Sequence, residues 1–156
     1  YIFRIQMCVM SSAPKNEIFT QVVLEVFKVG GLLNIDGDKL TKEFGLTASR
    51  WKILGAIMLS DNPVTVPEIG RYMGQSRQAV QRLVDVMAKD GLLTMTENPN
   101  HKRAKYIQMT TKAVDIYKQL DLKQVKWAED LSSDLSTSEM ESALKVLKHI
   151  TKQISA

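Results

Sequence analysis

TVPEIGRYMGQSRQAVQRLVDVMAKDG, residues 65–91, decides how this chain is read. Thr65 and Glu68 stand three apart, as an N-cap and a third helical residue do when each satisfies the other's free amide. Pro67 sits in the first turn, where a missing N–H is not needed. Ile69, Tyr72 and Met73 predict one short buried helical face. Gly74 supplies the left-handed backbone on which helices commonly end. Ser76 then caps a second helix, with Ala79, Val80, Leu83, Val84 and Met87 as its inward stripe. The opposite face carries Arg77, Gln78, Gln81 and Arg82, and Gly91 closes the helix.

Downstream, Leu92–Thr96 and Tyr106–Thr110 are rich in Thr, Met, Tyr and Ile and read as strands. Glu97 to Arg103 between them is polar and turn-prone. Short helix, tight turn, second helix and basic-tipped hairpin follow in the order of a winged helix-turn-helix, which sets one helix in the DNA major groove. Upstream, Thr47 is the expected N-cap of a helix through Trp51, Ile53, Leu54, Ile57 and Met58, ended by Asp61-Asn62-Pro63. Residues 17–33 carry a wide apolar helical face. Gly30 and Gly31 should weaken that helix, and Asp36-Gly37-Asp38 should interrupt or bend it. Residues 111–134 predict a long helix, and Ser136 with Glu139 opens a last one. The expected fold class is mainly α with a small β-hairpin wing.

The chain has 156 residues, enough for one domain with a real core. Its formal charge is +4, and the excess is local. Residues 47–110 hold nine Lys/Arg against five Asp/Glu, whereas the segments on either side are each balanced. A polyanion is therefore drawn to the middle of the chain. One cysteine, Cys8, excludes an intrachain disulfide framework and fits a reducing cytoplasm. No uninterrupted apolar run approaches the roughly 18 residues of a membrane span, so no membrane partner is expected. Two histidines, no phosphate-binding glycine loop, no nucleophile elbow and no metal-spaced Cys/His set argue against an enzyme, a cofactor and a metal. Residues 1–16 read as an N-terminal extension or expression remnant, with Met7 or Met10 as a candidate native start.

The chemistry of the middle segment points to duplex DNA. An Arg donates two bonds to guanine O6 and N7, and a Gln pairs with adenine N6 and N7. No acidic residue lies between Glu68 and Asp85 to repel phosphate. The hairpin tip offers Lys102 and Arg103, with His101 and Lys105 near, to a minor groove or to phosphates. The candidate DNA-binding residues are Thr65, Ser76, Arg77, Gln78, Gln81, Arg82, Lys102 and Arg103. The competing reading is a winged-helix protein–protein adaptor that binds no DNA.

Leu46-Thr47-Ala48-Ser49-Arg50-Trp51-Lys52-Ile53-Leu54, Thr65-Val66-Pro67-Glu68-Ile69-Gly70, Ala79-Val80-Gln81-Arg82-Leu83-Val84-Asp85 and Gly91-Leu92-Leu93 occur in this order, followed by Asn98-Pro99-Asn100-His101-Lys102-Arg103-Ala104 and Met109-Thr110. The ordered set resembles the MarR (multiple antibiotic resistance regulator) family of bacterial transcription factors, over about residues 17–154. The resemblance implies a recognition helix at Ser76–Arg82, a wing at Lys102 and Arg103, and a two-fold dimer, usually a repressor, on a near-palindromic operator. It assigns dimerisation to the helical segments 17–46 and 111–156, around a DNA-binding lobe at 47–110. It also implies release by a small aromatic ligand, for which Phe27, Phe44, Trp51 and Met58 are the expected pocket residues. In some relatives a cysteine near the first helix senses oxidants, a role that would fall to Cys8. His101 stands where the family's wing usually has an Asp that orients an Arg, and Ala113 where a Gly is usual.

Overall fold

A computed structural model describes residues 13–101 and 103–155 of the chain. Cys8, Met7, Met10 and Lys102 lie outside the described residues. The chain groups into two compact units, residues 1–49 and residues 50–156.

The first unit is dominated by α1, Lys15–Thr41, which a 3-10 turn, Lys42–Phe44, continues. The interruption expected at Asp36-Gly37-Asp38 does not occur. A glycine inside a helix costs only about 1 kcal/mol relative to Ala, and this stretch makes bonds that hold the helix end. The Thr41 hydroxyl donates to the carbonyls of Gly37 and Leu46, at 2.9 and 3.0 Å. The Asp38 carboxylate accepts the N–H of Ala48 at 2.7 Å. A residue read as a breaker thus anchors the start of the next helix, α2, Ala48–Met58. Phe19, Leu24, Phe27, Leu32 and Ile35 of α1 are exposed.

Lys15–Phe44 is also long and apolar enough, by length and composition, to cross a membrane. The sequence reading asked for an uninterrupted apolar run and missed it. Glu25 and Lys28 break the run but pair with each other at 3.5 Å.

In the second unit, α3, Val66–Met73, and α4, Arg77–Lys89, pack on each other, and α4 packs on β2. β2, Leu93–Thr96, and β3, Tyr106–Met109, form the expected antiparallel hairpin, with Met95 opposite Ile107. A third strand escaped the sequence reading. β1, Val64–Thr65, pairs with β3, so the sheet order is β1-β3-β2. Two residues are too few for any periodicity to show, and Thr65 already reads as a cap. Ile53, Leu54, Ile69, Val80, Val84, Met87 and Ile107 are fully buried. Tyr72, expected in this core, is instead 63% exposed.

Thr110 closes the hairpin base through its N–H to the Leu92 carbonyl at 3.0 Å, and caps α5, Thr111–Ser132. The Ser136–Glu139 capping box opens α6, Thr137–Ile154, as expected. Met140, Leu144, Leu147 and Ile154 of α6 are exposed.

Candidate nucleic-acid interface

The surface is built from the cap of α3 onward. The Thr65 N–H and hydroxyl both donate to Glu68 Oε2, at 2.7 and 2.6 Å. These bonds, the hydroxyl's first, hold the Glu68 carboxyl below its ordinary range, with Arg71 adding a smaller pull. Thr65 itself is buried, so its hydroxyl fixes the helix start and is not presented to solvent. The turn after α3 depends on two glycines. Gly74 has φ 63°, and a Cβ on Gly70 would lie 3.0 Å from the Gln75 carbonyl oxygen. The chain turns tightly there because nothing projects from Gly70. Ser76 Oγ then accepts the N–H of Ala79 at 3.2 Å, as the sequence predicts.

On α4, Ser76, Arg77, Gln78 and Arg82 are exposed and Gln81 is half-buried. The Gln81 amide donates to Asp85 at 2.8 Å, and Arg82 Nε donates to the Gln78 carbonyl at 3.3 Å. Arg77 has no hydrogen-bond or ion-pair partner among the described residues. The far end of α4 is pinned by Arg50 Nη1, 3.0 Å from Asp90 Oδ2. That cation on α2 also offsets a carboxylate placed unfavourably at a helix C-terminus.

The hairpin tip is shaped by its own backbone. Asn98 Oδ1 accepts the N–H of Asn100 at 2.9 Å, and the Asn98 carbonyl accepts that of His101 at 3.1 Å. The Ala104 N–H donates to the His101 carbonyl at 3.1 Å. His101 and Arg103 are exposed.

One cleft of about 190 Å³ joins these parts. Arg77 and Gln81 line it from α4, and Arg103 and Lys105 from the hairpin. Pro67, Met95 and Ile107 supply apolar walls, and none of its lining residues is acidic. The sequence reading did not single out Pro67 or Met95 for this surface. The Met95–Ile107 register is the signal that would have placed Met95. Of the residues expected to line an effector pocket, Phe27 and Met58 are exposed, and Phe44 and Trp51 are half-buried.

Comparison with known proteins agrees with this architecture. Residues 44–104 match a family model described as "MarR family". An uncharacterized protein of Mycobacterium tuberculosis is 33% identical over 90 residues, covering 58% of this chain and 62% of its own length. The HTH-type transcriptional regulator TcaR of Staphylococcus aureus is 28% identical over 118 residues, covering 74% of this chain and 76% of its own. Among solved structures, a mutant MarR from E. coli in complex with operator DNA superposes with a TM-score of 0.73 at 22% identity, covering 89% of this chain and 99% of its own. The helix order and the wing are thus those of MarR winged-helix structures, and residues 44–104 are similar in sequence to the MarR family.

Proposed function

We propose that this chain is a sequence-specific DNA-binding transcriptional regulator, acting in the cytoplasm as a dimeric repressor that a small aromatic ligand releases. The observation that carries the DNA reading is the cleft where Arg77 and Gln81 of α4 meet Arg103 and Lys105 of the hairpin with no acidic lining. Such a surface lets α4 read base edges while the hairpin holds the backbone. Lys102 belongs to the same tip by sequence. The operator DNA bound by the E. coli structural neighbour supports this reading.

Exposed apolar side chains on α1 and α6 support dimerisation, because monomers rarely leave such continuous apolar stretches in water. We assign the α1 face to a second copy and not to a bilayer. The Glu25–Lys28 pair in mid-helix, expensive in hydrocarbon, favours that assignment. Phe27, Phe44, Trp51 and Met58 are the proposed effector contacts.

Selection of bound duplexes from a random DNA pool tests the proposal. The expected product is a near-palindromic site with half-sites about one helical turn apart. A pool that never enriches, even at low salt, would instead support a protein–protein adaptor.

A further inference from the structure

α3 has a second cleft on its other flank. Val66 and Pro67 border the cleft with Arg77, whereas Glu68, Ile69 and Tyr72 border one that opens toward the end of α2. Its volume is about 320 Å³, at the lower end of small-molecule sites. Ala56 and Ile69 form buried walls, while Leu59 and Tyr72 stand 67% and 63% exposed. Those two present an aliphatic and an aromatic side chain to solvent at the cleft.

Glu68 is the one charged residue in the lining. Its Oε2 is occupied by Thr65, and its Oε1 accepts no hydrogen bond among the described residues. Arg71, three residues along from Glu68, influences it electrostatically, and no ion pair forms between them among the described residues. The cleft thus combines an aromatic face, an aliphatic face and a carboxylate with one oxygen free. A planar cation satisfies all three, since Tyr72 adds attraction for positive charge over its ring.

We propose that this cleft binds a small aromatic cation, with its charged head on Glu68 Oε1 and its ring between Leu59 and Tyr72. The site is complete within residues 50–156 and does not require that the Arg77 face meet DNA. A ligand there touches the carboxylate that caps the first helix of the helix-turn-helix.

NMR titration of the full chain with benzamidinium, neutral benzamide and benzoate tests it. Benzamidinium should shift resonances of Leu59, Ser60 and Tyr72 and bind several-fold more tightly than benzamide, with benzoate inert. Glu68→Gln, which keeps a capping-box side chain, should reduce benzamidinium to the affinity of benzamide. Tyr72→Ala should weaken both. Raising the salt in the unmodified chain should weaken benzamidinium and leave benzamide unchanged, a readout that needs no variant. Binding of benzoate as tight as benzamidinium, shifts confined to other residues, or a cation preference that survives Glu68→Gln would each overturn the proposal.

Discussion

Single residues set the two ends of α3, and their chemistry gives the sharpest small-scale predictions. Glu68 and Glu139 each accept a hydroxyl and a backbone N–H from their cap residues, and both carboxyls are held below the ordinary value. A carboxyl lowered in the folded state adds stability above its ordinary pKa, and that stability is lost as pH falls through the folded value. Melting temperature should therefore drop on acidification through and below that range, with a shallower drop in Glu68→Gln; identical profiles would show that the Thr65–Glu68 box contributes nothing. Gly74→Ala should cost about 1–2 kcal/mol, because its backbone is left-handed. Gly70→Val should cost more, since even a Cβ meets a backbone carbonyl there. Chemical denaturation of both variants measures the order. Thr65, Glu68, Gly74 and the Ser136–Glu139 box were legible in the sequence because caps and turns are local chemistry, whereas Gly70 was not, because its need for no side chain comes from the Gln75 carbonyl folding back on it. Asp38 was not, since the amide it accepts belongs to Ala48, ten residues away.

At the scale of elements, α4 is the part whose placement matters most. Its inward stripe of Val80, Val84 and Met87 is fully buried, and periodicity alone located it. Its start is fixed by Ser76 and its end by the Arg50–Asp90 pair. Ser76→Ala should lower stability by about 1 kcal/mol, the usual worth of such a cap. Thermal unfolding by circular dichroism checks this, and an unchanged melting curve would mean that packing alone holds the helix. The hairpin was legible from composition, but β1 was not, because two residues carry no pattern and only β3 reveals them as a strand. Tyr72 was misplaced because two turns of helix contain too few apolar positions to fix a face.

Over the whole molecule, the charge excess and the longest exposed apolar helix faces fall on different segments of the chain. The excess of Lys and Arg lies within residues 47–110, and the long exposed apolar faces lie on α1 and α6, outside that segment. Association through those helices would use surface that lies outside residues 47–110 of the sequence. Sedimentation at micromolar concentration should give a dimer, and a stable monomer would contradict the proposed assembly. The direct test of the central claim is the salt dependence of binding to a selected duplex, by fluorescence anisotropy, for the unmodified chain and for Arg77→Ala combined with Arg103→Ala. The account predicts a linear fall of log K with log salt. It predicts about 1–3 kcal/mol lost if Arg77 reads a base, and a slope smaller by about one for each phosphate contact removed. Affinity and slope unchanged in the double variant would contradict it.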